Sequence, residues 1–152
     1  SRGLGDVYKR QAQQVACGDV REKIGIATSN DLRHWKRYDG NPIFQHDYKR
    51  TITGDAQIQR MGDLWVMFYY CAHNPERSKY GAYNSFAVSR DLIHWTDWTD
   101  TPLVAPSEDY DARYAHKSFV VKWNDTVYHF YCAVDQNRHR TIALATSKDI
   151  GR

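Results

Sequence analysis

Asp55 stands as a lone acid at the head of an otherwise neutral, alternating segment within residues 53–71, TGDAQIQRMGDLWVMFYYC. A carboxylate that is partly desolvated and close to other charges has a shifted or coupled pKa, which is what acid–base chemistry requires. The bland alternative is a turn cap after Gly54. Residues 108–117, EDYDARYAHK, form a second cluster, with three acids, Arg113, two tyrosines, His116 and Lys117. A loop of this composition can bind a polar ligand. His116, with an ordinary pKa of about 6.5, can exchange a proton near neutrality. It can equally be a hydrogen-bonded histidine at a strand end, and Arg113 can be spent on Asp109 or Asp111. Asp55 and His116 are therefore the catalytic candidates. Gln57, His73, Asp111, Arg113, Tyr114 and Lys117 are the candidates for substrate contact. His73 belongs to the long segment 72–84, which also holds Asn74, Glu76 and Arg77 and reads either as a site-shaping loop or as plain surface.

The remaining motifs exclude several classes. There is no His-Glu-x-x-His, no Cys-x-x-Cys, no phosphate-binding glycine loop and no Gly-x-Ser-x-Gly. Metalloprotease, P-loop and serine-hydrolase chemistry have no support, and neither a metal nor a cofactor is expected. Cys17, Cys71 and Cys132 are too few and too scattered for a disulfide framework. Cys71 and Cys132 each follow an aromatic run and read as buried free thiols.

The elements that position these residues come from two interleaved repeats. IGIATSNDLRHWKRYDGNPIF (24–44) matches NSFAVSRDLIHWTDWTDTPLV (84–104), and IALATSKDI (142–150) begins a third copy. DAQIQRMGDLWVMFYY (55–70) matches KSFVVKWNDTVYHFYC (117–132). One unit thus reads as an inner strand, a Gly-Asp or Asn-Asp turn, an aromatic strand, a loop, a strand ending Ala-x-Ser, a turn with His-Trp, and a last strand. Four short strands per repeat joined by tight turns is the pattern of a β-propeller blade. The expected fold is all-β, a partial propeller of about two and a half four-stranded antiparallel blades. The blade parts are residues 24–44, 53–104 and 115–152. Edges left open in such a piece should be unpaired and prone to aggregate.

Repetition also sorts architecture from chemistry. Residues found in each copy, such as Asp31 with His34-Trp35 and Asp91 with His94-Trp95, read as turn and packing residues. Asp55 meets Lys117 at the equivalent place, so it is not shared.

Composition agrees with a packed β-domain: 41% apolar, 14% aromatic, with eleven Tyr and five Trp. Residues 1–11, SRGLGDVYKRQ, read as the translation of a sequencing adaptor, leaving residues 12–152 as a piece of one catalytic propeller domain. The adaptor segment holds three bases and one acid, or +2 of the net +3. The remainder is nearly neutral and gives no reason to expect nucleic acid or anionic membrane as a partner. No stretch approaches the ~20 apolar residues of a membrane span.

These blades resemble the five-bladed β-propeller glycoside hydrolases, families 32, 43, 68, 117 and 130. GDAQIQRMGDLWVMFYY is similar to their Arg-Asp-Pro blade start, with Gly54 for Arg and Ala56 for Pro, and ATSNDLRHW and AVSRDLIHW are similar to their strand-turn segments. The resemblance implies a glycosidase acting on oligo- or polysaccharides, with a carbohydrate partner and a secreted or periplasmic location. It implies three channel acids, of which Asp55 matches the stabilising one, and places the first-blade acid upstream of Ala12. His116 falls where families 32 and 43 carry the acid Glu, and a histidine acid resembles family 117. Asp111 or Glu108 would keep that histidine protonated. A phosphorylase, with Arg113, His116 and Lys117 holding phosphate, and a non-catalytic carbohydrate-binding propeller are the alternatives.

Overall fold

The computed structural model describes residues 21–48, 50–77 and 79–149. The adaptor-like segment lies outside the described residues. Among the described residues nine strands run in order: β1 (Ala27–Thr28), β2 (Lys36–Arg37), β3 (Ile52–Met61), β4 (Leu64–Ala72), β5 (Ala82–Ser89), β6 (Thr96–Asp97), β7 (Tyr114–Trp123), β8 (Thr126–Val134) and β9 (Arg140–Thr146). A 3-10 turn, Pro75–Arg77, interrupts the β4–β5 connection. All pairings between these strands are antiparallel and sequential, giving sheets β1-β2, β3-β4-β5-β6 and β7-β8-β9. This is a partial propeller: one complete four-stranded blade between parts of two others. Among the described residues no helix is long and apolar enough to cross a membrane.

The tight turns follow from their residues. Gly62 has φ 62° in the β3–β4 hairpin, and Asn124 and Asp125 have φ 45° and 57° in the β7–β8 hairpin. Two-residue hairpins need such left-handed positions, which Gly, Asn and Asp tolerate best. The Ser-x-Asp turns are built twice in the same way. The Ser29 hydroxyl accepts from the backbone N–H groups of Asp31 and Leu32, and Asp31 accepts from those of Arg33 and His34. Ser89 and Asp91 repeat these bonds to Asp91, Leu92, Ile93 and His94. Each aspartate also meets its histidine, at 2.6 and 2.7 Å. Bonds from His34, backbone first, hold the Asp31 carboxyl far below its usual range, as the His94 ring does for Asp91. Both histidines are exposed, so the pair is architecture.

β4 explains why its sequence is apolar on both faces. Met67, Tyr69 and Cys71 pack with Ile24 and Phe44 of the first blade part and with Tyr83, Ala87 and Trp95 of their own. Val66 and Phe68 face the other way, onto Val120 of the third sheet. Successive strand residues point to opposite faces, so a strand between two neighbours must be apolar throughout. Burying a side chain such as Met67, with 0% exposure, stabilises by roughly 1.5–3 kcal/mol. Cys71 is a buried thiol whose pKa burial pushes up. Cys132 is only partly buried, because β8 has a partner blade on one side alone.

The third sheet has one covered and one open face. Phe119, Trp123, Ile142 and Leu144 lie exposed on it. They occupy the ladder positions of Gln57, Met61, Asn84 and Phe86 in the complete blade. On the complete blade that same face packs on β7.

Candidate functional site

The site is built where the inner strands begin. β3 and β7 each carry a β-bulge at the same step, between Gly54 and Gln57 and between His116 and Phe119. Within each bulge a non-glycine residue takes a left-handed backbone, Asp55 at φ 51° and Lys117 at φ 60°. A bulge re-aims its side chain, and left-handed residues cost strain that the surrounding fold must hold in place. The two bulges lie side by side and present opposite charges: Lys117 Nζ is 3.8 Å from Asp55 Oδ2. Asp55 is the more buried of the two, at 18% side-chain exposure against 46%.

His116, on the strand beside it, is 7% exposed. Its Nδ1 lies 3.1 Å from the Cys132 carbonyl oxygen. A carbonyl can only accept, so Nδ1 carries the proton and Nε2 is left as an acceptor in the neutral ring. The ring stands edge-on to both Tyr70 and Tyr114, with centroids 5.7 Å apart in each case. Burial lowers the pKa of His116, Lys117 and Arg140 lower it further, and the Cys132 bond and the Asp55 charge pull the other way. The carboxylate whose charge reaches His116 is Asp55, and its pull is the weakest of these influences. Neither Asp111 nor Glu108, the partners expected from the sequence, serves that purpose. Glu108 is exposed, and Asp111 is fully engaged elsewhere.

Asp111 is wholly buried. It accepts from the backbone N–H groups of Ser107 and Glu108 at 2.8 and 2.9 Å and from the Tyr131 hydroxyl at 2.9 Å. Gln57 reaches across to the third sheet, where its amide donates to the Val120 carbonyl at 3.0 Å and accepts from the Val120 N–H. Arg113 lies over the Tyr114 ring at 5.2 Å. Gly81 closes on the same pair: a Cβ there would lie 2.7 Å from the Arg113 carbonyl oxygen and 2.8 Å from the Tyr114 ring. His73 is exposed, just past the end of β4, with φ 58°. Its backbone donates to the Gly81 carbonyl at 3.4 Å, and among the described residues no hydrogen bond joins its ring to Asp55 or His116. The structure thus gathers Asp55, His116, Lys117 and Tyr114, stacks Arg113 on the last, leaves His73 at the rim, and spends Gln57 and Asp111 inside the fold.

Two residues of the site escaped the sequence. Glu22 forms a parallel bridge to Ile52, with bonds to Thr51 and Thr53 at 3.3 and 3.2 Å. A Cβ at Gly54 would meet Glu22 Oε2 at 3.2 Å and the Tyr70 ring at 3.3 Å. Tyr70 pairs with Gly54 across the ladder. Burial first, then the charges of Glu22 and Asp55, push its hydroxyl pKa well up. Two carboxylates and a buried phenol thus meet around Gly54. Glu22 was findable by the repeat, since the Ile24–Phe44 and Asn84–Val104 bridges align it with Ala82, making it another unshared acid. Among the described residues no group of three or more His, Cys, Asp or Glu side chains could hold a metal ion.

No protein-family model and no curated protein matches this chain. Solved structures do. Two of them, one described as a complex of BT0996 with RGII and one as a glycoside hydrolase, are each 55% identical over 86% of this chain, with a TM-score of 0.81. A Bombyx mori GH32 β-fructofuranosidase, BmSUC1, is 17% identical over 82% of this chain and 27% of its own, at TM-score 0.64, and shares the fold alone. The chain is a partial β-propeller similar to those of glycoside hydrolases, and it spans 37% of the length of the two structures at 55% identity.

Proposed function

We propose that the chain is part of the catalytic propeller of a glycosidase acting on oligo- or polysaccharide. The observation that carries this reading is the meeting of Glu22, Asp55, Tyr70 and His116 at unshared positions around Gly54, joined to the 55% likeness to a glycoside hydrolase. Carbohydrate of the RGII type, bound in one of those relatives, is the substrate class to test first.

Glycosidic cleavage needs a proton donor at the leaving oxygen and a carboxylate against an oxocarbenium-like transition state. Asp55 supplies the stabilising charge, held in aim by its bulge and by Lys117. Glu22 is the second carboxylate. His116 touches substrate through Nε2, as an acceptor at neutral pH and as a donor only at acidic pH, because its pKa lies below the ordinary value. Arg113, Tyr114 and His73 form the rim for sugar hydroxyls and ring faces. Gln57 and Asp111 act by holding the Val120 backbone and Tyr131 in place.

Hydrolysis is favoured over phosphorolysis because Lys117 faces Asp55, whose charge repels phosphate. Turnover of RGII oligosaccharides by the intact protein, with and without phosphate, and by its Asp55→Asn variant tests the reading. Glycosidase activity in the parent and its collapse in the variant are expected. A parent inert on carbohydrate, or a variant with parental turnover, overturns it.

A further inference from the structure

Below Asp55 lies a second polar chain. His46 is nearly buried between Phe44 and Tyr69, with ring centroids 5.6 and 5.8 Å away. Its Nδ1 is 2.9 Å from the Thr53 hydroxyl, and its Nε2 is 3.2 Å from Asp97 Oδ2. The other Asp97 oxygen accepts from the Tyr69 hydroxyl at 2.6 Å. A carboxylate only accepts, so Nε2–H donates to Asp97, and in the neutral ring the Thr53 hydroxyl donates to Nδ1. The chain Asp97–His46–Thr53 thus ties the segment that follows the first blade part, the outer strand of the complete blade and its innermost strand together.

Thr53 is the pivot. It is wholly buried, its N–H donates to the Glu22 carbonyl at 3.2 Å, and it directly precedes Gly54 and Asp55. One residue therefore touches the segment carrying each carboxylate.

Neither neighbouring blade part builds this chain. Thr53 pairs with Cys71 as Ala115 pairs with Ala133, so Ala115 replaces it in the third sheet. Asp97 pairs with Ala87 as Arg37 pairs with Ala27, so Arg37 replaces it in the first. The bridges Ile24–Phe44 and Asn84–Val104 set Pro106 in the place of His46. Each of the three residues is thus replaced by a different one at an equivalent place in the fold. Tyr69 shows the contrast: its equivalent is again a tyrosine, Tyr131, which donates to a carboxylate of a different segment, Asp111.

We infer that Thr53, His46 and Asp97 are positioning residues that fix Glu22 and Asp55 relative to each other. The inference rests on the glycosidase reading for its kinetic test. In the intact protein, Thr53→Ala copies what the third sheet already tolerates, so folding should survive. Its kcat should fall about tenfold to a hundredfold, while KM stays within about twofold. Thr53→Ser keeps the hydroxyl and should restore kcat. Parental kcat in Thr53→Ala, or no recovery in Thr53→Ser, overturns the assignment. A second readout needs no turnover: the ¹⁵N shifts of the His46 ring should report a single Nε2–H tautomer in the parent and an averaged one in Thr53→Ala. If the parent cleaves no carbohydrate, the glycosidase reading fails and this spectrum alone decides. An averaged ring in the parent, or one unmoved by the substitution, refutes the relay.

Discussion

Residues 54–55 and residues 116–117 open the inner strands of successive sheets, on the same bulge and with the same left-handed step. The first pair is Gly-Asp and the second His-Lys. Where Gly54 leaves room for Glu22 and the Tyr70 ring, His116 fills its place with an imidazole set against the same tyrosine. One backbone device has thus been given an acid in one sheet and a base in the next. The scaffold fixes where the side chain points, and the residue at that point fixes what it can do.

The sharpest way to break this contrast is to remove the charge in the first bulge. Asp55→Asn is isosteric and should lower kcat/KM on carbohydrate about 10²–10⁴-fold, the range of a lost acid–base or charge-stabilising group. Unchanged melting of the variant would separate this loss from unfolding.

A second contrast lies one strand over. Met67 and His129 hold equivalent places on β4 and β8, paired with Ala87 and Ala145. Burial lowers the His129 pKa from 6.5 to about 4. Its folded value lies below its unfolded one, so its stability contribution is complete above about pH 6.5 and is lost as pH falls toward 4. One pKa unit is worth about 1.4 kcal/mol, so the melting temperature should drop markedly across that window. His129→Met, copying the neighbouring blade, should flatten the drop, and an equally steep acid profile in that variant would count against the assignment.

Gly81→Ala tests the wall of the site. Its Cβ would stand 2.7 Å from backbone oxygen, an overlap costing roughly 1–3 kcal/mol. Lower melting with a raised KM is expected, because Tyr114 and Arg113 must shift. The smallest effect belongs to Lys117→Met. The pair with Asp55 is long and half-exposed, so stability should change by less than about 1 kcal/mol. Chemical denaturation measures this. A loss of several kcal/mol would mean that the bulges depend on their charges.

Much of the scaffold was legible because it is written twice. The Ser-x-Asp turns, the Gly-Asp and Asn-Asp hairpins and the aromatic strand each recur, and local chemistry is enough to build them. Gln57 and Asp111 show where that legibility stops. Both are polar residues in a site-like neighbourhood, and both are used up by partners in distant strands, Val120 and Tyr131. Glu22 shows the reverse. The repeat marks it only as one more unshared acid, and what brings it to the site is its backbone bridge to Ile52.

By itself the sequence determined the strand order, the turns and the unshared acid Asp55, since period, turn residues and repetition are properties of neighbouring residues. Only the tertiary structure decided that Glu22 and Asp55 both act on Tyr70, that burial lowers the His116 pKa, and that Thr53 is tied through His46 to Asp97. Those depend on distances between blades, and on the burial that sets each charge, which no local pattern encodes.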